Sequence, residues 1–369
     1  MKHIPLVDLK AQYLSIKKEL DKAISDCIEK GRFIGGESVK IFEDRLARYC
    51  DIPYCAGCGN GTDALEISLK VLGIGKGDEV IVPAMTFMAS AEAVINVGAD
   101  VKLCDITKDT YLIDPELFEK SITTKTKAVI VVHLYGQMAE MDKIQAIARN
   151  NNLFIIEDSA QAIGASYNLK GPGHYGDIAT FSFFPGKNLG AYGDAGAMIT
   201  KNEDWYLNFK KIANHGRLNK FGHETIGRNS RLDTLQASIL SVKLNHLVNW
   251  TKMRQQHAKK YLEMFESYKN ITLPAVNLLA SHAYHLFVIK VDAEIRNAVL
   301  SSLKDNGIEA GIHYPQALHE IEAFNYLGHH PEDFPNAFAL SKECISLPMY
   351  PELTMSHIEH IATHLKSNI

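Results

Sequence analysis

The chain has 369 residues, 46% of them hydrophobic and 22% charged, which is enough to bury a core and to form two domains. Its net charge of -4 argues against a nucleic-acid-binding surface or a membrane-binding face, because both need clustered basic residues. The first residues contain no long apolar segment, and no apolar run approaches the roughly 20 residues that span a bilayer, so we expect a cytoplasmic protein.

Two amphipathic helices are predicted near the start of the chain. Apolar side chains recur at helical spacing over residues 12–30, and the pattern stops at Gly31. A loop over residues 32–37 leads to a second helix, whose apolar side chains include Phe42 and Leu46. We expect both helices to be packing elements without chemistry of their own.

The six cysteines are scattered, which suits a reducing compartment better than a disulfide framework. Cys55 and Cys58 have the spacing of a metal or redox pair. A zinc site needs a second pair, however, and a thioredoxin-like pair should open a helix after a strand, whereas this pair runs into Gly-Asn-Gly-Thr. We expect two small buried residues and no metal site.

A glycine-rich turn precedes the next predicted helix, over residues 59–72. Gly59 and Gly61 flank Asn60, and Thr62 can serve as the N-cap. A helix N-terminus presents unpaired N–H groups and the positive end of the helix dipole, and both favour a bound phosphate. Taken alone, the turn is more typical of an ordinary threonine cap, and the phosphate site is the alternative.

Apolar runs then alternate with helical stretches. Strands are predicted over residues 79–85, 101–106, 128–134, 153–156 and 178–184. Helices are predicted over residues 89–97, 115–122 and 141–150. Runs that are apolar on both faces, joined by helices of this length, indicate an α/β fold with a mainly parallel sheet covered on both sides. Ligands of such sheets bind beyond the carboxyl ends of the strands.

Polar and aromatic side chains gather at these predicted carboxyl ends. Residues 157–161 (EDSAQ) follow one strand, so one or both of Glu157 and Asp158 are expected where a ligand would lie. The preceding strand ends in residues 133–136 (HLYG), and an earlier one leads to Phe87, which offers an aromatic face. Several functional groups at one edge of a sheet are harder to explain by packing than any one of them alone.

Residues 171–176 (GPGHYG) match the G-x-G-x-x-G pattern of dinucleotide-binding sites. That pattern has a mechanism only between a strand and a helix. Here a polar loop precedes it, Pro172 interrupts it and a strand follows. We interpret it as a chance match in a loop.

One lysine follows the last of the apolar runs. Residues 178–184 lead through Pro185 and Gly186 to Lys187, in a segment almost free of charge. A lone ammonium at the end of a buried strand is costly unless its pKa falls or it becomes a neutral imine, so a Schiff-base lysine is one interpretation. The other is a surface lysine in a glycine-rich turn.

The rest of the chain supplies a basic loop and a second predicted domain. Residues 214–231 form a basic, polar loop, which is either a solvated surface or a phosphate clamp that reaches a neighbouring subunit. Helices are predicted over residues 232–247 and 253–268, with a boundary near Trp250 between domains 1–250 and 251–369. The second, smaller α+β domain has a strand-like run over residues 285–291, and His329 and His330 are interpreted as surface residues.

Taken together, these features favour pyridoxal phosphate (PLP) as a cofactor. A carboxylate would keep the pyridine nitrogen protonated, the ring would then accept electrons, and a lysine would hold the aldehyde and later carry protons. The candidates are Lys187 as the lysine, Asp158 as the carboxylate, Phe87 as a stacking aromatic, and Gly61, Thr62 and Ser182 as a phosphate cradle.

Five segments resemble signatures of the DegT/DnrJ/StrS family of nucleotide-sugar aminotransferases, which have the aspartate aminotransferase fold (PLP fold type I). They are GNGTDAL, EDSAQ, FSFFPGKN, GDAGA and GRNSRLDTLQA, and the resemblance runs from about Ile4 into the C-terminal region. It implies that Lys187 binds PLP covalently, that Asp158 pairs with the pyridine nitrogen, that Gln161 bonds the ring hydroxyl and that Phe87 stacks on the ring. It further implies a homodimer with shared sites, in which Gly61, Thr62 and Ser182 hold the phosphate together with Asn229 of the partner subunit.

The resemblance also bears on the reaction. Some relatives that dehydrate sugars have histidine at the lysine position, so Lys187 favours transamination. Relatives that act on 4-keto sugars often have histidine in place of Phe184 and Thr-Gly-Glu-Gly in place of residues 192–195, so the chain is more similar to the 3-keto branch. The implied reaction moves an amino group from L-glutamate to C3 of a keto sugar linked to dTDP or UDP.

Several points stay open at this stage. Residues 214–217 read Asn-His-Gly-Arg, where dTDP-linked members would be expected to have Asn-Tyr-Gly-Ser, so the nucleotide is undecided. The alternatives are amination at C4, a non-catalytic or regulatory protein of the same fold, and a nicotinamide oxidoreductase that uses residues 171–176. Candidate substrate-binding residues are Phe184, Arg217, Lys220, Arg231, His313 and Tyr314.

Overall fold

A computed structural model describes residues 3–367 and shows a chain of alternating helices and strands. The helices are α1 (Leu9–Ser15), α2 (Lys17–Lys30), α3 (Glu37–Cys50), α4 (Gly61–Val71), α5 (Ala89–Asn96), α6 (Pro115–Ser121), α7 (Met141–Asn150), α8 (Glu203–Ala213), α9 (Thr234–Leu244), α10 (Leu247–Phe265), α11 (Arg296–Asp305), α12 (Pro335–Glu343) and α13 (Met355–Lys366). The strands are β1 (Tyr54–Cys58), β2 (Glu79–Pro83), β3 (Asp100–Cys104), β4 (Thr126–Val132), β5 (Phe154–Asp158), β6 (Ser166–Tyr167), β7 (Ile178–Ser182), β8 (Gly196–Thr200), β9 (Ala280–Ser281), β10 (Phe287–Lys290) and β11 (Cys344–Leu347). Short 3-10 helices lie at Leu134–Gly136, Leu318–Glu320, Glu322–Leu327 and Pro331–Asp333.

A seven-stranded sheet forms the centre of the molecule, in the order β1-β8-β7-β5-β4-β2-β3. Strand β8 is antiparallel to both of its neighbours, and the other pairs are parallel. The α/β prediction is therefore confirmed. Residues 128–131 of β4 are completely buried, which is expected of a strand covered by helices on both faces. Strands β1 and β8 were not predicted, because YCAGC and GAMIT both contain Gly and Ala, which are depleted in strands.

Two predicted helix starts were wrong. The predicted helix over residues 12–30 is two helices that meet at Ile16, and the first begins at Leu9 because the Asp8 side chain accepts a hydrogen bond from Ala11 N at 2.8 Å. Helix α4 is capped by Asn60 rather than by Thr62. The Asn60 backbone is extended and its Oδ1 accepts from Asp63 N at 2.8 Å, so the helix starts at Gly61.

The predicted domain boundary near Trp250 falls inside α10. A separate apolar cluster joins α10, α11, α13, β10 and β11, and Ile4 packs in it. Residues 317–344, in contrast, contribute side chains to the core around the large sheet. The two-domain division stays a prediction, and residues 1–2 and 368–369 at its outer ends lie outside the described part of the chain.

Residues 4–7 are paired with the C-terminal region. Ile4 N donates to Gly307 O at 2.8 Å and Glu309 N donates back to Ile4 O at 2.9 Å. Met349 N donates to Leu6 O at 3.3 Å. Backbone hydrogen bonds thus hold residues 4–7 against the C-terminal half of the chain.

All six cysteines are buried and free of disulfides, including Cys55 and Cys58, as expected from their surroundings in the sequence. Burial raises the pKa of the Cys55 thiol well above its usual value, which keeps it unreactive. Between residues 3 and 367, none of the helices is long and apolar enough to cross a membrane.

Candidate active site

A cavity of about 860 Å³ opens beside the carboxyl ends of β5 and β7. Such edges are where α/β sheets bind ligands. Ten of the predicted site residues line the cavity: Gly61, Thr62, Phe87, Asp158, Gln161, Ser182, Phe184, Lys187, His313 and Tyr314. Four predicted residues do not line it: Arg217, Lys220, Asn229 and Arg231.

Lys187 enters the cavity from a tight turn after β7. Its backbone N–H donates to Phe184 O at 2.8 Å, which closes the turn around Pro185 and Gly186. Burial lowers the pKa of the Lys187 amine from 10.5 to about 8, and the negative charge of Asp158 acts in the opposite direction. Within residues 3–367, the Lys187 side chain has no hydrogen-bonding partner. It is therefore an amine that can be neutral near physiological pH and is free to react.

Helix α9 holds the loop that follows Lys187. The completely buried Lys243 donates from Nζ to Gly190 O at 2.7 Å and lies over the ring of Tyr192, 4.2 Å from its centroid. Gln236 accepts from Tyr192 N at 2.8 Å and donates to Tyr192 O at 3.1 Å. Sequence reasoning missed both residues, although a single lysine in the apolar helix TLQASILSVKL was a usable signal.

Asp158 ends β5 with its carboxylate in the cavity. Its Oδ2 accepts from Ser90 Oγ at 2.8 Å, and Ser90 Oγ is 3.0 Å from Thr86 Oγ1. Its Oδ1 accepts from Ala160 N at 3.2 Å. The carboxylate is 6% exposed and oriented by these donors, so it can meet a positively charged group of a ligand.

One or both of Glu157 and Asp158 were expected at the ligand site, and Asp158 lines the cavity whereas Glu157 does not. Glu157 is completely buried and accepts from Gly173 N at 3.0 Å, from Gly176 N at 2.6 Å and from His133 Nε2 at 2.8 Å. Ala139 N donates to His133 Nδ1, so the proton of the imidazole is on Nε2. The G-x-G-x-x-G segment is a loop, as predicted, and two of its amides donate to Glu157.

The N-terminus of α4 forms a narrow cradle with Ser182. A Cβ added to Gly61 would lie 2.7 Å from Ser182 Cβ, and one added to Gly196 would lie 2.4 Å from Asn60 O. Glycine is therefore required at both positions for the backbones to approach each other. Gly61, Thr62 and Ser182 offer backbone N–H and hydroxyl donors in the cavity, a donor set that fits the phosphate of PLP.

Two aromatic side chains and an amide also line the cavity. The Phe87 side chain is 59% exposed, and its ring centroid is 5.8 Å from that of Tyr314. Gln161 accepts from Tyr135 N at 2.6 Å and donates from Nε2 to the Tyr314 hydroxyl at 3.0 Å. One N–H of the Gln161 amide remains for another acceptor. Burial and the charge of Asp158 raise the pKa of Tyr314, so its hydroxyl keeps its proton.

Two histidines complete the wall near the lysine. His313 Nδ1 lies 2.9 Å from Ser346 Oγ, and Tyr135 donates from its hydroxyl to His313 O. Burial, helped by the charge of Lys187, lowers the pKa of His313 to about 4, so its imidazole is neutral in ordinary buffers. His285 also lines the cavity but was not predicted, because it reads in the sequence as part of an apolar strand.

The basic loop contributes one arginine that was not predicted. Arg228 lines the cavity, donates from Nη2 to Asp63 Oδ1 at 2.8 Å and pairs with Glu66, both on α4. The next residue, Asn229, is exposed and does not line the cavity. Two carboxylates already compensate the charge of Arg228, so it mainly fastens the loop to α4.

The described geometry combines a free amine, an oriented carboxylate, a phosphate cradle and an aromatic face in one cavity. The model of the DegT/DnrJ/EryC1/StrS aminotransferase family matches residues 14–366. The chain belongs to this family. The aminotransferase is similar to the crystal structure of S. venezuelae DesV in complex with a ketimine intermediate, with a TM-score of 0.97 and 37% identity, over 100% of this chain and 98% of that one.

Two curated relatives illustrate the range of names in the family. A "pleiotropic regulatory protein" of Geobacillus stearothermophilus is 42% identical over 97% of this chain and 96% of its own. The "dTDP-3-amino-3,4,6-trideoxy-alpha-D-glucose transaminase" of Streptomyces venezuelae is 39% identical over 95% of this chain and 92% of its own. Other matching structures hold PLP or its amine form. The chain is a PLP-dependent aminotransferase with the aspartate aminotransferase fold, as predicted.

Proposed function

We propose that this aminotransferase moves an amino group from L-glutamate to C3 of a keto sugar linked to a nucleoside diphosphate. The observation that carries the proposal is the Lys187 amine, unpaired and with a pKa lowered to about 8, in the same cavity as the Asp158 carboxylate. An amine that is neutral near physiological pH can react with an aldehyde and can take up a proton.

The residues that line the cavity suggest how the cofactor would be held. Gly61, Thr62 and Ser182 would hold the phosphate, Asp158 would face the pyridine nitrogen and Phe87 would cover the ring. When bound, PLP supplies an electron sink that stabilises a carbanion. Lys187 would remove a proton from the carbon of the donor that bears the amino group and would later give that proton back. No proton is lost while the amino group is transferred.

The sugar-nucleotide substrate is inferred from the resemblance to known relatives and from one cavity wall. Matching relatives are named as transaminases of 3-amino sugars carried by dTDP or UDP. Phe184, which is 57% exposed in the cavity, leaves an apolar surface beside Lys187, and His313 and Tyr314 offer polar groups for sugar hydroxyls. We therefore favour a 3-keto sugar and leave both nucleotides as candidates.

We also propose a homodimer with shared sites. Arg217, Lys220, Asn229 and Arg231 lie outside the cavity of their own chain. Arg217 Nε and Arg231 Nε are buried without a hydrogen-bonding partner within residues 3–367. Those two atoms are covered by their own chain, whereas Lys220 and Asn229 are exposed. A second subunit that places this loop over its neighbour's cavity would bring these two side chains to the phosphates of the cofactor and the nucleotide. The buried, free cysteines fit a cytoplasmic location.

The regulatory alternative is kept because one relative bears such a name. Borohydride reduction of the PLP-loaded protein, followed by peptide mapping, separates the alternatives. We expect the label on Lys187. Lys243 is the matched internal control, because burial lowers its pKa to about 8 as well while it lies away from the cavity. A label on Lys243, or none, would contradict the proposed function.

Turnover supplies the second half of the test. Lys187→Ala is expected to remain folded and to lose transamination, and retained activity would contradict the role of the lysine. Incubation with 3-keto and 4-keto sugars on dTDP and UDP, with the new amine located by NMR, decides the substrate. An amine at C4 would contradict the proposed regiochemistry.

A further inference from the structure

A hydrogen-bonded pair of side chains adjoins the reactive lysine. His285 lines the cavity together with Lys187, and its Nδ1 lies 3.3 Å from Oδ1 of Asn188, the residue after the lysine. Asn188 is 4% exposed and donates from Nδ2 to Ala283 O at 3.1 Å. The same segment, residues 283–285, thus contacts both ends of the Asn188 amide.

These contacts fix the tautomer of the imidazole. Ala283 O can only accept, so the Asn188 nitrogen must face it and the Asn188 oxygen must face His285. His285 Nδ1 must therefore donate, and in the neutral ring Nε2 then carries an unprotonated lone pair. Within residues 3–367, Nε2 has no hydrogen-bonding partner. It is not one of the fully buried side-chain atoms that lack a partner, so it is accessible to a ligand or a neighbouring side chain.

The position of the imidazole is fixed through its backbone. Arg254, which is 3% exposed, donates from Nη1 to Tyr284 O at 3.1 Å and to Met349 O at 2.7 Å. Ala283 N donates to Gly136 O at 2.8 Å, and a Cβ on Gly136 would lie 2.9 Å from His285 N. The lone pair of Nε2 is therefore held in place at the cavity wall.

We propose that His285 is a positioning residue for Lys187, whose amine donates a hydrogen bond to the unprotonated Nε2 between proton transfers. The proton stays on the lysine nitrogen, and no covalent bond forms or breaks in this contact. The role rests on the proposed function of Lys187 as the amine that carries the proton. Asn188 acts one step further away, because it dictates which nitrogen of the imidazole is free.

The charges around the pair support this arrangement. Burial and the charge of Lys187 lower the pKa of His285 well below its usual value, so the imidazole stays an acceptor. The titratable groups that act on the two residues are Asp158 on Lys187, and Lys187, Arg254, His313 and His282 on His285. The positive charges of Lys187 and Arg254 disfavour an imidazolium at His285, and only an unprotonated Nε2 can accept from the amine.

The test follows, against pH, the rate at which the cofactor-free protein gains visible absorption after PLP is added. Only the unprotonated amine reacts with the aldehyde, so the midpoint of this rate profile reports the pKa of the Lys187 amine. His285→Leu removes the acceptor and should lower the midpoint by about 1 to 2 pH units, as expected when a hydrogen bond to a charged donor is lost. His285→Gln can donate to Asn188 and present an oxygen, so its midpoint should stay close to that of the wild type. Asn188→Ala should lower the midpoint as His285→Leu does, but by a smaller amount.

His282→Asn is the matched control. His282 is a buried imidazole three residues away that accepts from Tyr284 N at 2.8 Å and does not line the cavity. Its variant should leave the midpoint unchanged, and a shift as large as that of His285→Leu would overturn the proposal. An unchanged midpoint in His285→Leu would also overturn it. If that variant does not fold, an unchanged midpoint in Asn188→Ala overturns it instead.

Borohydride mapping on each variant keeps this proposal separate from the proposed function. A label on Lys187 with a midpoint that does not move contradicts the positioning role alone. A wild-type protein without label on Lys187 contradicts the function itself.

Discussion

Glu157 and Asp158 are consecutive residues of β5, but their side chains lie in two very different regions. On the side of Glu157, both carboxylate oxygens have donors, from His133 and from two loop amides. On the side of Asp158, the carboxylate is oriented by Ser90, while the nearby Lys187 amine has no partner within residues 3–367. Successive side chains of a strand point to opposite faces, so one residue is enough to separate the two regions.

The side chains around Glu157 stabilise the fold, whereas those around Asp158 and Lys187 are available to react with a ligand. Buried polar groups with complete hydrogen bonding hold a loop in place at little net cost. A buried amine whose pKa is lowered by desolvation destabilises the folded protein but is available for chemistry. Substitutions on the two sides should therefore act on different properties.

Asp158→Asn is expected to have the largest effect. The variant keeps the shape of the side chain but removes the negative charge that would face the cofactor ring, so turnover should fall by at least about 100-fold. The melting temperature should change little, since Ser90 still has an acceptor. Turnover within a few fold of the wild type would contradict the role assigned to Asp158.

Lys187→Met tests the cost of the unpaired amine in the cofactor-free protein. The pKa of the amine is 10.5 when unfolded and about 8 when folded, so below pH 8 the folded state must hold a proton that it binds weakly. The variant should be more stable than the wild type by up to about 3 kcal/mol below pH 8, and this difference should vanish as the pH rises to 10.5.

Urea unfolding of both proteins across this pH range measures the difference. Lys70→Met, on an exposed position of α4, is the control and should show no such trend. A stability difference that does not depend on pH would show that the Lys187 amine is not desolvated.

Glu157→Gln should lower the free energy of unfolding, whereas Lys187→Met should raise it. The amide retains one acceptor oxygen but loses the charge that accepts from Gly173, Gly176 and His133, so unfolding should become easier by about 1 to 3 kcal/mol. Turnover of the remaining folded protein should stay within a few fold. A large loss of turnover without a loss of stability would contradict the structural role assigned to Glu157.

Ser90→Ala is expected to have the smallest effect. It removes the donor to Asp158 Oδ2 and leaves the carboxylate and its second donor, Ala160 N, in place. Turnover should fall about 2- to 10-fold, in line with one hydrogen bond. Loss as complete as in Asp158→Asn would mean that Ser90 has a role beyond orientation.

The sequence predicted those parts of the molecule that depend on local patterns. Buried strands appear as apolar runs, and the turn before Lys187 is marked by Pro185 and Gly186. The split of Glu157 from Asp158 was not predictable, because two adjacent carboxylates after an apolar run look alike until the register of β5 is known.

The supporting residues were missed for another reason. Lys243 contacts Gly190 across 53 positions, and His285 contacts Asn188 across 97. No periodicity or motif links such distant positions, since the contact exists only once the helices and the sheet have packed. Residues that line the cavity next to a recognisable motif could thus be predicted, whereas the contact partners of Lys243 and His285 could not.

The pairing of residues 4–7 has a practical consequence. Leu6 and Val7 line the cavity, and the backbone of Ile4 is hydrogen-bonded to Gly307 and Glu309 in the C-terminal half of the chain. Proteolytic clipping just before Asp8 would therefore open a gap in the pocket and loosen the C-terminal half in a single cut. A preparation clipped at this point is expected to be inactive although it looks nearly full-length on a gel, so mass spectrometry of the intact chain should precede any assay.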